Sequence, residues 1–246
     1  MIEEGALDKV DTIFGLHVDP HLPTGTIGVC DGPMMAMVCN FDLVIRGRGG
    51  HAARPQYAVD AIVVAAEVVE SLQKIVSRNV DPATPLVLTI GRIEGGTARN
   101  VIADRVKLVC TARTLSTEFG KKISRLVQRI VGGVCRAHGA GFEMSELAAY
   151  PILINDAATN GLYADVFRSL FGNKRVRRVE PVLGGEDFAC YLQKVPGAML
   201  RLGVRNRRIG ADKPWHSSKF IADEEAMYYG TALLIGSTLK YIEDHT

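Results

Sequence analysis

Between residues 37 and 149 the hydrophobic period switches repeatedly between two and 3.6, and this switching restricts the fold more than any single motif. Phe41, Leu43 and Ile45 alternate with Asn40, Asp42, Val44 and Arg46, the period of a half-buried strand. Val59, Ile62, Val63, Ala66, Val69, Leu72 and Val76 then recur at helical spacing. After Pro82 and Pro85, residues 86–93 read as a strand, and Gly95-Gly96 turns the chain into another. There Val106, Leu108, Cys110 and Ala112 alternate with Lys107, Val109, Thr111 and Arg113. A second amphipathic helix carries Phe119, Ile123, Leu126, Val127, Ile130 and Val134, Gly139 and Gly141 close it, and a fourth strand is predicted over 142–149. Strand, helix, strand, strand, helix, strand is the split βαβ, ferredoxin-like order: one sheet with two helices on one face.

The flanks follow a different pattern. Residues 12–18 are a short, mostly apolar run of the kind that makes a buried strand, ended by Pro20 and Pro23, and a short strand is predicted at Ile27 to Cys30. Beyond Pro151 the expected elements are a helix over 155–171, a strand over 176–182, a helix from Glu186 to about Lys194, a strand from Ala198 to Val204, and a last helix capped by Asp223. Alternating short strands and helices indicate an α/β layer structure. The predicted organisation is therefore an α/β domain built from 1–37 and 151–246, with an α+β domain inserted at 38–150. Met1 to Leu7 reads like the last turns of a helix with no approach to it, which suggests a lost beginning.

Composition narrows the class. Apolar residues at 47% and charged ones at 23% suit a soluble globular protein, and a net charge of +2 gives no bulk reason to expect nucleic acid or an anionic membrane as partner. The basic cluster Lys174, Arg175, Arg177 and Arg178 reads as a solvated edge rather than a phosphate site. Five cysteines without a C-x-x-C spacing point to free thiols in a reducing compartment. No run approaches a membrane span and no signal peptide is recognisable, so the cytoplasm is the expected location.

The chemistry-bearing stretch is Gly47-Arg48-Gly49-Gly50-His51-Ala52-Ala53-Arg54-Pro55, a glycine-dense loop that presents one histidine between a strand and a helix. It also satisfies G-x-G-x-x-A, but Arg54-Pro55 delays the helix and no acidic residue ends a second parallel strand, so a dinucleotide site is disfavoured. His17 lies at the C-terminal end of the predicted strand over 12–18, and His216 lies in a loop between the last strand and the last helix. Each is either a metal ligand or a histidine simply hydrogen-bonded in place. In Gly184-Gly185-Glu186-Asp187-Phe188 two carboxylates start a helix, either capping it or lining a site.

Taken together, these stretches resemble the M20 metallopeptidase family, in particular its amidohydrolase branch of N-acyl-amino-acid, hippurate and auxin-conjugate hydrolases. The resemblance rests on Met1–Gly5 with Asp11–Val18, on Gly47–Pro55, on Gly95–Ile102, on Gly185–Phe188, and on Trp215–Phe220 as "H-S-x-K-F". It implies a metal-binding α/β catalytic domain with an inserted ferredoxin-like lid through which two copies form a homodimer. It implies hydrolysis of the amide bond of an N-acyl amino acid or similar small conjugate, with two divalent ions (Zn, Mn, Ni or Co) per complete site. His17 and His216 match metal ligands, and His51 matches the lid histidine that steadies the oxyanion, commonly at the partner subunit's site. Asn100, Arg113 and Glu186 fall on the substrate side. The family's Cys-Gly-His segment and Glu-Glu pair, which supply the other ligands and the general base, have no counterpart here. An N-terminally truncated form is therefore expected, inactive by itself and with weak or absent metal binding. The alternative is a non-catalytic dimerisation or binding remnant.

Overall fold

The computed structural model describes residues 1–147 and 150–246. The last two positions of the strand predicted over 142–149 lie outside the described residues. The elements in chain order are β1 (Ile13–Pro23), β2 (Ile27–Val29), β3 (Gly32–Met35), β4 (Met37–Arg46), β5 (Gly50–His51) and α1 (Ala61–Arg78). Then come β6 (Leu86–Gly95), β7 (Val101–Ile102), β8 (Arg105–Thr114), α2 (Thr117–Ala137) and β9 (Gly141–Glu146). The chain ends with β10 (Leu153–Asn155), α3 (Ala157–Phe171), β11 (Val176–Arg178), α4 (Phe188–Leu192), β12 (Gly197–Arg205) and α5 (Ala226–His245). It divides into two compact units: Met1–Met35 with Leu153–Val182 and Glu186–Thr246, and Ala36–Ile152 with Leu183–Gly185.

The inserted unit is the ferredoxin-like fold. Its sheet runs β6-β8-β4-β9, antiparallel throughout, with α1 and α2 on one face. Phe41, Leu43 and Ile45 of β4 and Val106, Leu108, Cys110 and Ala112 of β8 are buried against the helices, as the alternation requires. The face of α1 differs from the predicted one. Ala61, Val64, Ala65, Val68, Leu72 and Ile75 are buried, whereas Ile62 and Val63 are 46% and 54% exposed. Apolar residues line both sides of this helix, so spacing alone does not orient it. Its start settles the register: Asp60 accepts from the Ile62 and Val63 amides at 2.9 and 3.4 Å, and Val59 pairs with Arg48 instead of joining the helix. Ser116 caps α2 in the same way, at 3.2 Å from the Phe119 amide. A small ribbon, β5 against β7, lies in passages where two-residue strands leave no periodic trace.

The other unit holds a mixed sheet in the order β1-β12-β2-β11, with β1 parallel to β12, β12 antiparallel to β2, and β2 parallel to β11. Tyr163 and Phe167 of α3 and Leu233 of α5 pack on one face with Ile27 and Leu200. On the other face Ala189 of α4 packs with Met34, Leu153 and Met199. β12 is buried from Gly197 to Val204, which explains a run that is apolar but for Arg201. β1 continues to Pro23 rather than stopping near Val18, but its ladder is regular only to Asp19 opposite Gly203; Pro20, without an amide hydrogen, falls where the register shifts. β3 pairs with β10, whose last residue, Asn155, occupies the first position of the helix predicted over 155–171. Asp156 caps α3 at 2.8 Å from the Thr159 amide. Asp223 does not cap α5: it accepts from the Glu225 amide and from Asn206 at 3.1 and 2.8 Å, and α5 starts at Ala226. Within the basic cluster, Arg178 pairs with Asp31 at 2.7 Å, while Arg175 donates to the Gly25 carbonyl at 3.0 Å and lies 5.4 Å over the Tyr229 ring.

Candidate active site

In the inserted unit the glycine loop is laid down by backbone hydrogen bonds. The Gly47 amide donates to Asp104 O at 2.8 Å, and Arg48 and Val59 exchange two bonds at 2.9 and 2.8 Å. A Cβ at Gly47 would lie 2.1 Å from Val59 O, so only glycine permits this approach. The loop ends in β5, which sets His51 opposite Val101, while the Ala52 amide donates to the Asn100 carbonyl at 3.1 Å. The Ala53 amide donates to His51 Nδ1 at 3.1 Å. Nδ1 is thus the acceptor nitrogen, and in the neutral ring the proton sits on Nε2 of an exposed side chain. His51 is a poised hydrogen-bond donor.

His51 and Asn100 line one cleft of ≈ 810 Å³, together with Glu94, Asp104, Arg105 and Lys107. Arg113 is not part of that lining: it leaves β8 half-buried and donates from Nη1 to Leu183 O at 3.1 Å. The structure thus gathers two of the three site residues predicted in this unit.

In the other unit His17 sits inside β1, two residues before the ladder becomes irregular, rather than at the end of a strand. Its Nδ1 is 2.8 Å from Val18 O. A carbonyl only accepts, so Nδ1 carries the proton and Nε2 keeps its lone pair, the tautomer that binds a cation. The indole Nε1 of Trp215 donates to the same Val18 carbonyl at 2.8 Å. The loop bearing His216 therefore meets the strand bearing His17 through Trp215. His216 itself has φ 61°, in the left-handed region that costs a non-glycine residue about 1–2 kcal/mol.

Glu186 lies close enough for the His17 ring to act on its charge. Burial pushes its carboxyl up, helped by Asp187, while the Phe188 amide, donating to Oε1 at 3.3 Å, and the His17 ring when it is charged draw it back. Sequence reasoning missed Asp19 and Arg201, which is opposite His17 on β12. Arg201 Nη1 is 3.6 Å from Asp19 Oδ2, both side chains are buried, and Asp19 Oδ1 accepts the His21 amide at 2.7 Å. The available signal was a lone charge in the apolar run 198–204.

The donor set suits a divalent cation in kind. His17 offers an unprotonated imidazole nitrogen whose partner nitrogen is held by a carbonyl, and the His216 loop is fastened beside it. In number it falls short. Among the described residues no three His, Cys, Asp or Glu side chains group so as to hold a metal ion, and a divalent ion takes four or more ligands.

Residues 37–138 match the peptidase dimerisation domain of the M20 type. Thermostable carboxypeptidase 2 of Saccharolobus solfataricus is 36% identical over 231 residues, covering 94% of this chain and 58% of the relative. N-acetylcysteine deacetylase of Bacillus subtilis is 36% identical over 227 residues, covering 92% and 58%. The crystal structure of a dinuclear metal-binding peptidase of the M20 family from Bacillus subtilis superimposes with a TM-score of 0.81 at 29% identity, over 98% of this chain and 60% of that one. The chain thus spans between 58% and 60% of the length of these relatives. On these matches residues 37–138 form an M20-type peptidase dimerisation domain, and the chain as a whole is similar to these longer proteins.

Proposed function

We propose that this chain is the larger part of a metal-dependent amidohydrolase that cleaves the amide bond of N-acyl amino acids or similar conjugates. The observation that carries the reading is the opposite preparation of two imidazoles. His17 is held with Nε2 as an acceptor, and His51 with Nε2–H as a donor. The first suits cation binding and the second suits a developing oxyanion.

In this reading His17 and His216 hold the cation, which when bound supplies Lewis acidity toward the amide carbonyl and toward water. His51, serving the partner subunit's site as in the family, donates from Nε2 to a substrate carbonyl oxygen as charge develops, an interaction worth about 3–4 kcal/mol in the transition state. Asn100, beside it in the cleft, offers amide donors and an acceptor to orient the substrate. Arg113 gives one N–H to Leu183 O and keeps others for a substrate carboxylate. Glu186, whose carboxyl burial pushes up, is placed on the substrate side. Pairing of two copies through the inserted unit is part of the same proposal, supported by the dimerisation-domain match and by the exposed Ile62 and Val63.

A second reading, a dimerisation or binding module without chemistry, is favoured by the donor count. One experiment separates the two. The remaining segment of the Bacillus subtilis deacetylase, joined to this chain, should yield a protein that releases amino acids from N-acetyl substrates, whereas the chain by itself turns over none. His51→Ala in the fusion should lower kcat by roughly 10²–10³. A folded, metal-loaded fusion that hydrolyses no N-acyl amino acid sinks the first reading.

A further inference from the structure

We infer that Trp215 is a positioning residue that fastens the His216 loop to β1 and sets the orientation of His17. The inference rests on the proposed role of His17 and His216 as ligands and adds the device that holds them together. The Val18 carbonyl has two lone pairs, and both are engaged: His17 Nδ1 and Trp215 Nε1 each lie 2.8 Å away. One acceptor thus fixes the imidazole tautomer and anchors the neighbouring loop. The indole also stands edge-on between two imidazoles, 5.8 Å from the His17 ring at 88° and 5.1 Å from the His21 ring at 83°.

The residue after this anchor is His216, with its left-handed backbone. Such a conformation persists where the surroundings over-determine it. On the downstream side the loop is closed by Ser217 N to Pro214 O at 3.3 Å, Lys219 N to Ser217 Oγ at 3.2 Å and Phe220 N to Ser217 O at 3.0 Å, and Phe220 packs on the core. On the upstream side the long-range tie is the indole. This half-buried indole spends its one donor on the same carbonyl that orients His17. His216 is therefore clamped between the β1 anchor and the Phe220 anchor.

The test uses Cu²⁺ as probe on the full chain, and it exploits the fact that Trp215 is the sole tryptophan. Binding beside the indole should quench its emission saturably, and His17→Ala with His216→Ala should abolish the quenching. Quenching that survives the double substitution, or no saturable quenching even at millimolar Cu²⁺, overturns the ligand reading itself. If the ligand reading stands, Trp215→Phe, followed by calorimetry and by the nitrogen couplings in the Cu²⁺ electron paramagnetic resonance spectrum, tests the clamp. The expected result is affinity weakened by roughly 10- to 100-fold, with two-imidazole coupling reduced to one. His21→Ala, which keeps the indole hydrogen bond, should bind as wild type. Should the Phe variant fold poorly, benzothienylalanine in place of tryptophan alters only this position and replaces the N–H by sulfur without changing ring shape. Wild-type affinity and two-imidazole coupling in either Trp215 replacement overturns the clamp and leaves the ligand reading intact.

Discussion

The glycine that begins the His51 loop should be intolerant of a single methyl group, and a second glycine in the same unit should welcome one. At Gly47 an added Cβ would lie 2.1 Å from Val59 O, about 1 Å or more inside ordinary contact. The obstacle is backbone, which cannot rotate away. Relief requires opening the Arg48–Val59 exchange, whose two bonds measure 2.9 and 2.8 Å. Losing them costs about 1 kcal/mol each, and the residual strain of an overpacked site adds about 1–3 kcal/mol. Alanine's lower unfolded-state entropy returns about 0.4–1 kcal/mol. The net is a loss of about 2–4.6 kcal/mol for Gly47→Ala. Gly133 lies inside α2 with nothing within 4 Å of an added Cβ, so Gly133→Ala should gain about 1 kcal/mol from helix propensity. The assay is urea denaturation followed by hydrogen exchange on peptides of β4, α1 and β8, since Trp215 emission reports on the other unit. A Gly47→Ala protein within about 0.5 kcal/mol of wild type, or a Gly133→Ala protein less stable than it, refutes the argument from Cβ contact.

Other perturbations have equally definite outcomes. Asp60→Ala removes the α1 cap, accepting at 2.9 and 3.4 Å, and should cost about 1 kcal/mol by the same denaturation assay. Arg201→Met leaves Asp19 buried without its countercharge and should cost about 3–5 kcal/mol, with Asp19→Asn added to Arg201→Met recovering part of it; a neutral single variant would show the ion pair to be idle. Burial pushes the Cys110 thiol up from 9.0 to about 12. A raised value means that the folded state favours the protonated thiol, so this contribution is whole below pH 9 and is lost as pH rises toward 12. The urea midpoint should therefore fall over that alkaline window, less steeply in Cys110→Ala, and Cys110 should resist iodoacetamide at pH 8 until the unit unfolds.

Which of these features a reader of the sequence can see depends on the distance over which each is encoded. The four-stranded sheet of the inserted unit is legible because burial on one face writes a period of two into Phe41, Leu43 and Ile45. The face of α1 is not, because Ile62 and Val63 are as apolar as Val64 and Ala65, and the decision between them is made by the Asp60 cap and the sheet. His17, His51, Asn100 and His216 can be nominated from short motifs, yet the quality that makes two of them chemically distinct is set by single contacts: a carbonyl beside His17 Nδ1 and an amide beside His51 Nδ1. These contacts follow backbone conformation, not residue type. Arg201 carried a legible signal, a charge inside an apolar strand, because an isolated buried charge demands a partner.

Trp215 illustrates the limit. Its bond to Val18 O spans 197 positions along the chain, and nothing in Pro214-Trp215-His216 announces it. That separation is also why the contact matters physically. A loop between β12 and α5 has its own local turns to shape it, but only a long-range tie can hold His216 to a strand near the other end of the chain. The histidines of such a pair can be recognised one at a time. Whether His17 and His216 act as the proposed pair turns on the Val18 carbonyl that His17 and Trp215 share, so replacing the indole N–H tests that proposal more sharply than removing either histidine.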